Sequence, residues 1–176
     1  LKLAETMVSS GTRAGRRTVA LITDMNQPLG RAIGNALEVK EAVETLQGRG
    51  PDDLTELTLA LGTEMLVLAQ VAEDATDARR RLGEAIRSGR ALEKFREMVV
   101  NQGGDPAFID DPSRLPTAPV RVVVEARASG WVDAIDGHEL GDVTMLLGAG
   151  RRKQDDEIDH AVGLVLRAKV GSRVEA

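Results

Sequence analysis

Three features of the sequence predict an α/β fold followed by a smaller β-rich module. An apolar, β-branched run, Thr18-Val19-Ala20-Leu21-Ile22-Thr23, lies between two helical patterns. Amphipathic helical patterns then follow one another as far as about residue 102. After a proline-rich stretch the patterning turns strand-like.

The first helical pattern carries Leu3, Ala4, Met7 and Val8 and ends at the breaks Gly11 and Gly15. The run 18–23 reads as a strand buried on both faces, ending at Asp24. Pro28 and Gly30 mark the loop that follows. Ala36, Leu37, Val39, Val43 and Leu46 then recur at helical spacing up to Gly48. Asp52 and Asp53 stand beside Pro51 where a helix cap belongs. A long apolar helix follows from Leu54 to Val71, then one from about Asp74 to Gly89, then one carrying Leu92, Phe95, Met98 and Val99. The stretch from Asp105 to Pro119 holds four prolines and reads as a linker. Beyond it, residues 120–126, 131–135, 143–147 and 162–168 are strand candidates. A boundary near residue 116 therefore divides the chain into units 1–116 and 117–176.

Composition narrows the function classes. Lys and Arg total 23 against 28 Asp and Glu, a formal net charge of −5. That balance argues against nucleic acid as a partner, which calls for a concentrated positive face. The short basic clusters at 16–17, 79–81 and 151–153 are interleaved with acids and read as solvated surface. Without cysteine there is no disulfide or thiolate chemistry, and a cytoplasmic location is expected. No apolar stretch is long enough to span a membrane. The chain opens on Leu1 in mid-helix and stops after a strand-like run, so a piece of a longer protein is expected.

Few residues carry chemistry on their own. Asp24 sits at the carboxyl end of the predicted strand, where it either serves a ligand or caps its own loop. Lys40 and Glu44 are spaced as a same-face pair of opposite charge. Glu38 and Glu41 share one helical face. They are either two solvated acids, or one leans back toward the Pro-Leu-Gly loop to meet a cation held by carbonyl oxygens. Spacing does not choose between the two. His138 and His160 have no nucleophile or orienting partner nearby in sequence, and two histidines without cysteine do not make a transition-metal site. Gly148-Ala149-Gly150-Arg151 lacks the Lys-Ser/Thr of a phosphate loop and reads as a connection between strands. Trp131 reads as core or interface packing.

One uninterrupted run adds an identity. Thr23-Asp24-Met25-Asn26-Gln27-Pro28-Leu29-Gly30-Arg31-Ala32-Ile33-Gly34-Asn35-Ala36-Leu37-Glu38-Val39-Lys40-Glu41-Ala42 resembles the signature of the thymidine and pyrimidine-nucleoside phosphorylases. The stretches at 50–54, 101–105, 147–151 and 159–164 resemble the same family. The resemblance implies the later part of a large α/β domain, followed by a β-rich module similar to the hammerhead of biotinyl and lipoyl domains and cut short at its end. It implies phosphate-dependent cleavage of thymidine, uridine or deoxyuridine to free base and (deoxy)ribose-1-phosphate. It also implies a homodimer, with pyrimidine nucleoside and inorganic phosphate as substrates. The family's phosphate loop, a Lys-His-Ser-Thr-Gly-Gly stretch, and its base-holding Arg, Ser and Lys precede residue 1. No catalytic and no substrate-binding residue is therefore expected here, and the chain by itself is expected to be inactive. What carries over is part of a monovalent, potassium-type cation site, whose pattern falls on Leu29, Ala32 and Glu41 and so picks Glu41 over Glu38. The alternatives are a non-catalytic module that binds an ion or a partner subunit, and a related phosphoribosyltransferase or AMP phosphorylase.

Overall fold

The structure, a computed structural model, describes residues 1–176. It consists mainly of helices, with two short antiparallel pairs of strands. Helix α1 spans Lys2–Arg13 and runs straight through Gly11. Strand β1, Ala32–Ile33, leads into α2, Asn35–Leu46. Helices α3 (Asp52–Leu68), α4 (Ala75–Arg87) and α5 (Arg90–Asn101) follow. The amphipathic periods at 36–46, 54–71, 74–86 and 92–99 thus become the helices they predict.

The α3–α4–α5 block closes on itself. Gly62 of α3 lets Leu82 of α4 approach its backbone, and Ala78 at the same contact is wholly buried. Asp74 caps α4 by accepting from the Asp77 N–H at 2.8 Å. A two-pronged Arg79–Glu56 pair spans the α3–α4 contact. The proline-rich stretch is ordered as two 3-10 turns, Pro106–Ile109 and Pro112–Arg114, started by the carboxylates of Asp105 and Asp111. Ile109 is 1% exposed. Phe108 meets Phe95 of α5 edge-on at 6.3 Å, and Arg96 grips Asp110 through both nitrogens at 2.8 and 3.0 Å.

The expected strands mostly differ from what is found. Residues 18–23 are extended but carry no backbone ladder, and Ile22 is 69% exposed. A strand buried on both faces needs hydrogen-bonded neighbours on both edges, and no segment of residues 1–176 pairs with this one. Residues 120–126 are likewise unpaired, and 120–125 are exposed. Of 131–135 only Trp131 falls in a strand, β2 (Gly130–Trp131), which pairs with β4 (Arg173–Val174) and is extended by backbone bonds of Val132 to Gly171 and Ser172; the Trp131 ring is exposed rather than packed. Residues 143–147 are not a strand. The Asp136 carboxylate accepts from the N–H groups of His138 and Glu139 and starts helix α6, Gly137–Thr144. A π-turn over Met145–Ala149 continues it, so the Gly148–Gly150 segment ends a helix instead of joining strands.

Within 162–168, strand β3 (Leu164–Val165) pairs with β1, setting Ala32 opposite Val165 and Ile33 opposite Leu164. This pairing brings residues 160–170 around the turn at residues 27–34. Gly30, Ala32, Gly34 and Ala36 alternate as four of the eleven buried residues in the chain. That turn is therefore a second centre of packing, apart from the helical block. The approach is close: a Cβ on Gly34, whose φ is +136°, would run into the Val162 carbonyl.

Candidate functional site

The turn that precedes α2 is held from two sides by groups of opposite charge. On its donor side, the Glu41 carboxylate reaches back along α2, as helical side chains do. It accepts from the N–H of Arg31 at 2.9 Å and of Ala32 at 3.2 and 3.3 Å. On its acceptor side stands the Lys169 ammonium. It donates to the carbonyls of Pro28 and of Gly30, the latter at 2.6 Å, and to the Asp53 carboxylate at 2.9 Å. Asp53 in turn accepts from the Gly30 N–H at 3.2 Å. Both backbone polar groups of Gly30 are thus bound. Its φ of +67° is one that a residue with a Cβ rarely adopts, and Glu41 fills the space a Cβ would take.

Neighbouring contacts complete the enclosure. The Gln27 side chain accepts from the Val170 N–H at 3.0 Å, and the Arg31 carbonyl accepts from the Leu166 N–H at 2.8 Å. The N-terminus of α2 receives the His160 carbonyl on its Ala36 N–H. Glu38 accepts from the Gly34 N–H at 3.1 Å. Both acids left open by spacing therefore turn back, Glu41 onto the turn itself and Glu38 onto the start of its helix. Lys40 and Glu44 form no ion pair. Asp24 accepts from the Asn26 N–H at 2.9 Å and so caps its own loop. His138 is exposed, 3.9 Å from Asp142, beside nothing it could activate.

The charges around the turn do not balance. Asp53 is paired with Lys169 at 2.9 Å. Burial acts to raise the Asp53 carboxyl, but the Lys169 ammonium and the N–H groups of Leu54 and Gly30 outweigh it and hold the carboxyl below the usual Asp value. Glu41 is half-buried and makes no ion pair. The Leu29 carbonyl accepts no hydrogen bond from the protein. An unpaired carboxylate beside a free carbonyl is a donor set of hard oxygens, which suits a potassium-type ion. Leu29, Ala32 and Glu41 thus lie at one turn, with the Glu41 carboxylate on the Ala32 N–H. No cluster of three or more His, Cys, Asp or Glu side chains converges in the chain, so a cation here would depend on backbone oxygens.

Sequence reasoning placed Glu41 but missed Lys169 and the bridging role of Asp53, which was read as a cap. Pro51 is the residue at the cap position, and Asp52 begins the helix. The available signal was slight: one lysine in the otherwise apolar run Leu164–Val170, apart from Arg167.

Comparison with known proteins defines the class first. Residues 1–92 match the glycosyl transferase family, a/b domain, and residues 131–176 match the pyrimidine nucleoside phosphorylase C-terminal domain. The chain is 54% identical over 174 residues to a pyrimidine-nucleoside phosphorylase of Bacillus subtilis (strain 168), covering 99% of the chain and 40% of that protein. It is 54% identical over 173 residues to one of Staphylococcus aureus (strain USA300), covering 98% of the chain and again 40% of the relative. The chain belongs to the pyrimidine-nucleoside phosphorylase family. It spans about two fifths of the length of the curated relatives it matches. No helix is long and apolar enough to cross a membrane.

Proposed function

We propose that this chain is part of a pyrimidine-nucleoside phosphorylase, a pentosyltransferase. In that reaction a phosphate oxygen bonds to the anomeric carbon as the bond from that carbon to the base nitrogen breaks. The products are free base and (deoxy)ribose-1-phosphate, from thymidine, uridine or deoxyuridine. The observation that carries the reading is the 54% identity along nearly the whole chain to proteins that bear this name.

Within the enzyme, this chain supplies the later part of the α/β domain up to about residue 116. Residues 117–176 form a module of the hammerhead type. The chain contributes no catalytic or substrate-binding residue of its own. The Leu29 and Ala32 carbonyls with the Glu41 carboxylate hold part of a potassium-type site. The ion would supply fixed positive charge and rigidity at that turn. The remaining expectations, a cytoplasmic homodimer, belong to the whole protein.

The test is a phosphorolysis assay. Thymidine or uridine is mixed with phosphate and either the 176-residue chain or the complete protein, and free base is measured. The complete protein is expected to release base and the chain alone to release none. Release of base by the chain alone would contradict the assignment of its residues, and none from the complete protein would contradict the phosphorylase reading.

A further inference from the structure

The ammonium of Lys169 has three N–H donors and no acceptor, and the structure gives it three acceptors: the Pro28 carbonyl, the Gly30 carbonyl and Asp53. This is full coordination of a single positive charge by oxygen, drawn from the 28–30 turn and from α3. The side chain is only 20% exposed, unlike the surface pairs of α4, where Arg79, Arg80 and Arg81 are 45–60% exposed. Surface pairs of that kind contribute little. Losing a partly buried ammonium would leave two carbonyls without a donor and the Asp53 carboxylate with backbone N–H groups alone and no counter-charge, which is much more costly.

The position of the contact matters as much as its completeness. Pro28 and Gly30 flank Leu29, whose own carbonyl is free. Glu41 meanwhile takes the N–H groups of Arg31 and Ala32. An anion holds the donors of the turn, a cation holds its acceptors on either side of Leu29, and one oxygen is left over between them.

We propose that Lys169 is a tethered cation that positions the 28–32 turn, and that it thereby sets how well Leu29, Ala32 and Glu41 take a second, diffusible monovalent cation. Lys169 acts through the turn and is a positioning residue. It also makes the C-terminal module a part of the site, because the lysine lies 139 residues along the chain from Gly30. The first half of the proposal stands on the contacts alone. The second half rests on the cation reading of the turn.

Two measurements test the halves separately. In the first, amide hydrogen exchange is compared between the 176-residue chain and its Lys169→Met, Lys169→Arg and Lys169→Ala variants. Lys169→Met is expected to speed exchange at Gly30–Ala32 about tenfold while α3 and α4 keep their protection. Lys169→Arg is expected to restore part of the protection, and methylammonium is expected to restore part of it to Lys169→Ala. Unchanged exchange at the turn, or equal loss throughout the helices, would overturn the positioning role.

In the second, phosphorolysis by the complete enzyme is followed as potassium is titrated. Lys169→Met is expected to raise the potassium concentration for half-activation about tenfold, with turnover at saturating potassium preserved. A fall in turnover with the potassium midpoint unmoved would overturn the second half. Should the complete enzyme show no phosphorolysis, the phosphorylase reading falls, and the exchange experiment alone decides the role of Lys169.

Discussion

The helical block from α3 to the second 3-10 turn and the region around the 28–32 turn are held together in opposite ways. In the block, each element packs on its neighbour in sequence: α3 on α4, α4 on α5, α5 on the 3-10 turn that carries Ile109. The turn region has local support from Glu41 and Glu38 of α2 on one side only. Residues 18–23 and 120–126 lie extended and unpaired, and the other side of the turn is held by β3, Lys169 and Val170, more than 130 residues away along the chain. Local packing gives the block its stability. The turn depends on contacts between distant parts of the chain, and the unpaired charge of Glu41 lies there.

The largest effect should come from breaking the block. Ile109→Ala removes the most deeply buried large side chain and is expected to cost about 2–5 kcal/mol in denaturant unfolding. The 28–32 turn should lose its order together with the helices, since α2 and α3 carry Glu41 and Asp53. Breaking the turn should be selective. Gly34→Val drives a side chain into the Val162 carbonyl from a backbone conformation that suits glycine, at about 1–3 kcal/mol. Limited proteolysis should then open residues 160–176 first, with far-ultraviolet helicity kept. Loss of helicity in step with the tail would erase the distinction between the two regions.

That distinction also explains what could be read from the sequence. The helices were legible because their apolar spacing, the Asp74 cap and the glycines at 48, 89 and 103 are all local signals. The strands were not, because β-patterning records which face is buried and says nothing of where a partner lies. Residues 143–147 carried strand-like residues, yet the Asp136 cap seven residues upstream decided for helix. At the site, Glu41 was legible through resemblance alone. Lys169 was not legible, since no local pattern links a lysine near the end of the chain to a turn near its start. Asp53 was seen but given the wrong task, because its position beside Pro51 is the one that caps usually occupy.

A smaller effect follows from acid. The Asp53 carboxyl is held below its usual value, so its contribution is present above about pH 4 and is lost as pH falls through the lower folded value. Melting temperatures of the chain and of Asp53→Asn should therefore differ at neutral pH and converge in acid. A constant gap at every pH would mean that the Lys169–Asp53 pair does not hold the turn.

The most direct test of the account is a potassium titration of phosphorolysis by the complete enzyme and its Glu41→Gln variant, paired with a potassium-dependent melt of each. Glu41→Gln keeps the shape of the side chain and removes the unpaired carboxylate that holds the N–H groups of Arg31 and Ala32. The account predicts that activation by potassium weakens about tenfold or more and that the gain in melting temperature with potassium disappears. Identical activation curves and identical melts for the two proteins would contradict it.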